Sequence, residues 1–172
     1  MLSLVPFQKQ YPKHSKREIE KLAGEYLLQA VFGDKLGYFD LKINREKKPF
    51  AENCPYQFNL SHSGDYLLLA VGDEPLGADI EKITKIPPKT LANYFTDTEQ
   101  KQVEKEGKQA FFEIWTKKES YVKYTGEGIR GLSKITTYPE EISFFTTQYE
   151  DYQIAICSTK KNLPDQIEIV SY

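Results

Sequence analysis

Cysteine and histidine are scarce in this sequence, with two of each among 172 residues. Cys54 and Cys157 are too few for a disulfide framework or a zinc site, so both are expected to be core thiols. No stretch approaches the roughly 20 apolar residues needed to cross a bilayer, and the first residues lack the apolar segment of a signal peptide. The sequence therefore predicts a cytoplasmic protein with no membrane partner.

The sequence also lacks an excess of charge of either sign, because 23 basic and 25 acidic side chains give a formal net charge of −2. A nucleic-acid-binding domain normally carries a basic excess, so no nucleic-acid partner is expected. Aromatic bulk is abundant, with 12 Tyr and 10 Phe available for a core. A chain of this length forms one domain, or two small halves packed together.

The hydrophobic pattern mixes helical and strand periods, which predicts the α+β class. Helices are predicted over 15–32 and 108–124, and a third begins at Thr96, where Glu99 completes a capping box. The predicted strands are 37–43, 56–60, 66–71, 77–83, 142–147, 152–158 and 166–172. The residues 61–65 are predicted to separate two of these strands. Pro87 and Pro88 mark a predicted boundary between halves 1–86 and 87–172, packed as one compact unit.

Two carboxylates alternate on a predicted strand. Asp79 and Glu81 are two residues apart, so their side chains project from the same face. Like charges this close raise each other's pKa unless a cation lies between them. Mg²⁺ suits such a pair, because it binds a few carboxylates together with water and phosphate oxygens. A solvated strand face is the alternative interpretation.

Two further segments offer polar chemistry. Glu119 and Lys123 lie four residues apart on the predicted helix 108–124, and Trp115 lies four residues before Glu119, where its ring could exclude water. A surface ion pair explains Glu119 and Lys123 equally well. Ser61 and His62 offer donors to a phosphate, although a structural or capping histidine is the alternative, and no G-x-S-x-G segment makes His62 a triad base.

The order of three segments is more specific than any of them alone. FNLSHSGDYLLLAV, PLGADIEKI and FFEIWTKKESYVKYTGEGI closely resemble the surfactin-type 4′-phosphopantetheinyl transferases, and the resemblance runs from about residue 15 to the end. It implies a pseudo-dimeric fold of two similar α/β halves with the active site between them. It also implies a monomeric, Mg²⁺-dependent enzyme that transfers 4′-phosphopantetheine from coenzyme A to a serine of an apo acyl or peptidyl carrier protein, releasing 3′,5′-ADP.

The resemblance also assigns residues. Asp79, Glu81 and Glu119 match the metal positions, and Glu119 and Lys123 match the catalytic ones, with Lys123 serving the departing oxygen and Glu119 able to take the serine proton. The implied coenzyme A contacts are Lys47, Lys48, Pro49, Ser61, His62, Lys118 and Lys123. Of these, 47–49 would line the adenine, Ser61 and His62 would hold the 3′-phosphate end, and Lys118 would neighbour a phosphate.

Two rival functions stay open. One is a non-catalytic module that binds coenzyme A or a carrier protein, although binding alone does not require three metal ligands and a lysine. The other is a Mg²⁺ phosphohydrolase that uses water instead of serine on coenzyme A-like pyrophosphates. The product separates them, because only transfer gives a covalently modified protein.

Overall fold

The computed structural model describes residues 2–6, 16–33, 40–43, 49–52, 55–159, 163 and 168–169. The strands in this part of the chain are β1 Leu2–Pro6, β2 Asp40–Ile43, β3 Pro49–Glu52, β4 Gln57–Ser63, β5 Tyr66–Gly72, β6 Leu76–Lys82, β7 Ser143–Tyr149, β8 Tyr152–Ser158 and β9 Glu168–Ile169. The helices are α1 Lys16–Phe32, α2 Pro88–Tyr94, α3 Asp97–Glu106, α4 Lys108–Thr125 and α5 Ile129–Leu132. The predicted α+β class is confirmed.

The described strands form three sheets. Four strands lie in the order β4-β5-β1-β9, three lie in the order β6-β8-β7, and β2 pairs with β3. All pairs are antiparallel except β1 with β9, which is parallel. Strand β6 precedes Pro87 but pairs with β8, which follows it, from Leu76 opposite Ser158 to Lys82 opposite Tyr152. The division into halves 1–86 and 87–172 stays a prediction.

The main core connects the two larger sheets. Its buried side chains come from β5, β6 and β8: Leu68, Ala70, Leu76, Ala78, Ile80, Tyr152, Ile154 and Ile156. A second cluster of aromatic residues lies between α3 and α4 and includes Phe95 stacked on Phe111 with ring centroids 4.9 Å apart. Residues 76–80 of β6 are thus buried within the molecule, Asp79 among them, while Glu81 and Lys82 at its end are partly exposed.

Helix α4 lies directly on β6 because of one glycine. A Cβ atom on Gly77 would overlap the carbonyl oxygen of Ser120 and the amide nitrogen of Tyr124, both backbone atoms of α4. Only glycine therefore lets the helix backbone approach the strand this closely. This approach brings the residues of α4 next to the carboxylates of β6.

The predicted helix ends are confirmed where the structure describes them. Thr96 caps α3 by accepting from the Glu99 amide at 3.3 Å, and the Glu99 side chain accepts from the Thr96 amide at 2.7 Å. Helix α4 ends at Gly126, whose left-handed conformation (φ 77°) suits a residue without a Cβ. Pro87 and Pro88 begin α2, where proline is tolerated because the first helical amides have no partner within the helix. The predicted cap Ser15 lies outside the described residues.

One predicted segment between strands was wrong, and four short elements were not predicted. Residues 61–63 continue strand β4, and only Gly64 and Asp65 form the turn, because β4 pairs with β5 as far as Ser63 opposite Tyr66. Strands β1 and β3 and helices α2 and α5 were not predicted, since each is short and has little periodic signal. Among the described helices, none is both long enough and apolar enough to cross a bilayer.

Candidate functional site

Strand β6 carries two acidic side chains among apolar neighbours. Asp79 and Glu81 alternate with the fully buried Ala78 and Ile80, whose side chains join the core. Asp79 is itself 3% exposed, and Glu81 is half-buried near the end of the strand. A carboxylate this deeply buried requires hydrogen bonds or a cation to offset the loss of water.

Asp79 has partners for only one of its oxygens. Its Oδ1 accepts from Ser61 Oγ at 2.8 Å and from Lys123 Nζ at 2.6 Å. Its Oδ2 is buried and has no hydrogen-bond partner, the one such side-chain atom within the described part of the chain. An unpaired buried acceptor costs free energy, so this oxygen is a natural ligand for a cation.

Glu81 is held through both oxygens. Ser63 Oγ donates to its Oε2 at 2.9 Å, and Trp115 Nε1 donates to its Oε1 at 3.4 Å. Burial raises the pKa of Glu81, the nearby charge of Asp79 raises it further, and the two hydrogen bonds and Lys123 oppose that rise. The Trp115 indole thus joins α4 to Glu81 on β6, a contact that was not predicted, while its exclusion of water from Glu119 stays a prediction.

Glu119 projects from α4 toward the same group. Burial raises its pKa to about 7, the Asp79 charge contributes to that rise, Lys123 lowers it, and Glu81 raises it again. Between the described residues, the Glu119 carboxylate makes no hydrogen bond or ion pair. It is thus a half-buried, weakly acidic group whose oxygens are not used by other described residues.

Lys123 lies between the helix and the strand. Its ammonium group donates to Asp79 Oδ1 and to Ser61 Oγ, the latter at 2.7 Å. It therefore pairs with β6 and not, as a surface ion pair would require, with Glu119 one turn earlier on its own helix. The site is consequently three carboxylates neutralised in part by one lysine.

The chemistry of this donor set is that of a divalent-cation site. As the side chains stand, no group of three or more His, Cys, Asp or Glu residues in the described part of the chain could hold a metal ion. Three mutually interacting carboxylates and the orphaned Asp79 Oδ2 are nonetheless the oxygen ligands that Mg²⁺ prefers. The charge repulsion that raises the pKa of Glu119 is the repulsion that a bound cation relieves.

The predicted coenzyme A contacts are not all brought to this site. Ser61 lies in it, bonded to Asp79, while the side chain of His62 is exposed, consistent with the alternation of strand β4. Lys118 is 0% exposed, and its ammonium group meets Glu99 Oε2 at 3.0 Å and the Ile135 carbonyl oxygen at 2.8 Å. Lys47 and Lys48 lie outside the described residues, and Pro49 begins β3.

Two residues of the site were not predicted. Ser63 bonds to Glu81, and Gly77 admits the helix beside the strand. Ser63 could have been predicted if residues 61–63 had been assigned to a strand, because Ser61 and Ser63 would then lie on the same face. Gly77 offered no signal, because a glycine in a strand does not reveal which backbone approaches it.

The sequence is similar to those of known proteins over the segment that includes β6 and α4. A family model described as the 4′-phosphopantetheinyl transferase superfamily matches residues 75–169, which include β6 and α4. The 4′-phosphopantetheinyl transferase AcpT of Salmonella typhimurium (strain LT2) is 35% identical over 151 residues, covering 83% of this chain and 77% of that protein.

Two Bacillus relatives match as well. The 4′-phosphopantetheinyl transferase psf-1 of Bacillus pumilus is 33% identical over 145 residues, covering 72% of this chain. The chain spans 62% of the length of that relative. The 4′-phosphopantetheinyl transferase Sfp of Bacillus subtilis (strain 168) is 26% identical over 184 residues, with 92% of this chain and 82% of that protein covered. The resemblance seen in the sequence is confirmed, and the chain belongs to the 4′-phosphopantetheinyl transferase superfamily, a family of enzymes.

Proposed function

We propose that this protein transfers 4′-phosphopantetheine from coenzyme A to a serine of an apo acyl or peptidyl carrier protein in the cytoplasm, as a monomer of two packed halves. The observation that carries the proposal is the partly buried group of Asp79, Glu81, Glu119 and Lys123, which family membership relates to this chemistry. Three relatives from three species, each named a 4′-phosphopantetheinyl transferase, support the transferase activity.

In this proposal Asp79, Glu81 and Glu119 hold Mg²⁺. The Oδ2 atom of Asp79 is the first candidate ligand, because it is buried and unpartnered in the described structure. Mg²⁺, when bound, supplies positive charge that neutralises the coenzyme A pyrophosphate and makes its phosphorus more electrophilic. The remaining chemistry belongs to side chains of the protein and of its partner.

Transfer forms one bond and breaks another. The carrier serine Oγ bonds to the phosphorus that bears pantetheine, and the bond from that phosphorus to the bridging oxygen of the pyrophosphate breaks. The electron pair of the broken bond stays on that oxygen, which leaves as part of 3′,5′-ADP. The serine proton must pass to a base, and the departing oxygen must be neutralised.

Two side chains suit these tasks. Glu119 is placed to accept the serine proton directly or through water, and a bound Mg²⁺ would lower its pKa from the value of about 7 that it has without metal, which makes it a weaker base. Lys123 carries a proton on a half-buried ammonium group that already lies against Asp79, and it neutralises or protonates the departing oxygen. Both residues lie on α4, one helical turn apart, so they act on the same substrate from one rigid element.

The coenzyme A contacts are proposed with the same reasoning. His62, whose side chain is exposed on strand β4, is proposed to contact the 3′-phosphate end together with Ser61, which lies in the site bonded to Asp79. Lys47, Lys48 and Pro49 are proposed to line the adenine. Lys118 is the weakest of the set, since its ammonium group is buried against Glu99, and a variant described in the Discussion tests it.

Intact mass spectrometry of an apo carrier protein tests the proposal. Incubation with this chain, coenzyme A and Mg²⁺ should add one phosphopantetheine to the carrier, and EDTA should prevent the addition. Free phosphopantetheine without a modified carrier would instead identify a phosphohydrolase. Coenzyme A binding with no reaction across fatty-acid, polyketide and peptide carriers would identify a binding module.

A further inference from the structure

Strands β4 and β6 are the facing edges of two different sheets, and side chains join them. Asn59 Oδ1 accepts from the Ala78 amide at 3.0 Å, Ser61 Oγ from the Ile80 amide at 3.4 Å, and Ser63 Oγ from the Lys82 amide at 2.9 Å. The accepting side chains recur at every second residue of β4, and the donating amides recur at every second residue of β6. This is the period at which the side chains of a strand share a face. Three side chains of β4 thus satisfy the edge amides that a neighbouring strand would satisfy in a continuous sheet.

The two serines also reach the carboxylates. Ser61 Oγ donates to Asp79 Oδ1 at 2.8 Å, and Ser63 Oγ donates to Glu81 Oε2 at 2.9 Å. In each case the serine accepts from the amide that follows the acidic residue it donates to. The same arrangement is therefore built twice, two residues apart, once for each acidic residue of β6.

Each hydroxyl has a donor for a lone pair and an acceptor for its hydrogen. A serine hydroxyl has one hydrogen to donate and two lone pairs to accept with. At Ser63 the Lys82 amide donates to one lone pair, and the hydrogen is donated to Glu81. At Ser61 the Ile80 amide and the Lys123 ammonium group occupy both lone pairs, so the hydrogen is left for Asp79. Because an ionised carboxylate has no hydrogen to give, the serine is the donor in each pair.

We propose that Ser63 is a positioning residue that holds the Glu81 carboxylate ready for a divalent cation. The inference rests on the proposed function, in which Glu81 is a metal ligand. Glu81 has several rotatable bonds, and its other hydrogen bond, from Trp115, is long at 3.4 Å. Ser63 is thus the stronger restraint on its orientation, and partners of metal-binding carboxylates are worth about 10–100-fold in metal affinity.

Ser63 tests the idea more cleanly than Ser61. Ser61 also bonds to Lys123, so its removal disturbs the lysine and Asp79 together. The side-chain hydrogen bonds of Ser63 among the described residues are those to Glu81 and to the Lys82 amide. A change at Ser63 therefore acts on the metal site through Glu81.

The experiment is a titration of the full chain with Mn²⁺, free ion being measured by electron paramagnetic resonance without coenzyme A or carrier protein. Ser63→Ala should raise the Mn²⁺ Kd about 10–100-fold. Ser63→Thr keeps the hydroxyl and should bind nearly as the wild type does. Ser158→Ala is the matched control, because it removes a buried hydroxyl that donates to the Pro75 carbonyl oxygen at the far end of the sheet that carries Glu81, and its Kd should be unchanged.

Thermal unfolding checks that each variant is folded. If Ser63→Ala does not fold, Ser63→Cys keeps the size and weakens the donor, and it should raise the Kd as well. Wild-type binding together with unchanged binding in folded Ser63→Ala or Ser63→Cys overturns this inference alone. Absence of Mn²⁺ binding by the wild type overturns the metal site of the proposed function and this inference with it.

Discussion

The Lys123 ammonium nitrogen lies 2.6 Å from Asp79 Oδ1, joining helix α4 to strand β6 through a lysine and an aspartate 44 residues apart. The aspartate side chain is 5% exposed and the lysine side chain 27%, so water screens the pair only in part. One ion pair thus links the element that carries Glu119 to the element that carries Glu81. Its removal should affect both the chemistry and the stability of the site.

Lys123→Met is expected to reduce transfer to a carrier protein about 100-fold or more, because the departing oxygen loses its cation. In metal-free protein the change should also lower the free energy of unfolding by about 1–3 kcal/mol, since Asp79 loses its charged partner. Lys117→Met, on the same helix, is the control, because among the described residues the Lys117 ammonium group contacts Glu113 alone, in a partly exposed ion pair away from the site. Equal effects of the two variants on transfer would contradict the role of Lys123.

Glu119 gives a prediction for pH. Its pKa rises from an ordinary value of 4.5 to about 7 on folding, so the folded state holds a proton that the unfolded state has lost. This contribution to stability is complete below pH 4.5 and is lost as the pH rises through about 7. The free energy of unfolding of metal-free wild type should therefore fall over this window relative to Glu119→Gln, with a slope below the limit of about 1.4 kcal/mol per pH unit.

Urea unfolding at several pH values in EDTA measures that slope. Glu113→Gln, a half-exposed carboxylate on the same helix, should keep the wild-type slope. Parallel curves for wild type and Glu119→Gln would show that Glu119 is not held in its protonated form.

Gly77→Ala is expected to destabilise the protein, because the added methyl group meets backbone atoms of Ser120 and Tyr124 that cannot rotate away. Overpacking of this kind costs about 1–3 kcal/mol, and movement of α4 should also weaken transfer. Gly24→Ala on α1 is the matched comparison, since its Cβ would meet Leu60 Cδ1 at an ordinary 3.7 Å. That change should stabilise the helix by about 0.5–1 kcal/mol, so denaturation curves should shift in opposite directions.

Lys118→Met separates two roles for a buried lysine. If Lys118 is a structural partner of Glu99 and the Ile135 carbonyl, its loss leaves the Glu99 carboxylate bonded to the Thr96 amide but without its counter-ion, which should cost about 3 kcal/mol of stability. The KM for coenzyme A of the folded variant should then stay near the wild-type value. Unchanged stability with a raised KM for coenzyme A would instead support the phosphate contact that the family resemblance implies.

Much of the site could be predicted because strand periodicity fixes neighbours. Asp79 and Glu81 share a face from their spacing alone, and Glu119 and Lys123 share a helix face for the same kind of reason. The meeting of the two elements could not be derived from spacing, because it depends on the approach that Gly77 permits. The family resemblance supplied the proximity of α4 and β6. That proximity contributes to the raised pKa of Glu119, because the charges of Asp79 and Glu81 on β6 add to the effect of burial.

The errors have physical causes as well. Residues 61–63 contain serine and histidine, which are common in turns, but pairing with β5 extends the strand through them. The hydrogen bond from the Trp115 indole to Glu81 was not predicted, because spacing within a helix does not show contacts with another element. Local patterns describe neighbours within an element, and these contacts lie between elements.

The most direct test of the account is single-turnover transfer of phosphopantetheine to an apo carrier protein by wild type, Glu119→Gln and Glu113→Gln, followed by intact mass as Mg²⁺ is raised. Wild type and Glu113→Gln should modify the carrier at the same rate, and Glu119→Gln should be slower by at least about 100-fold at every Mg²⁺ concentration, since it loses a ligand and a proton acceptor. Transfer by Glu119→Gln at a rate near that of the wild type would contradict the assignment of the site.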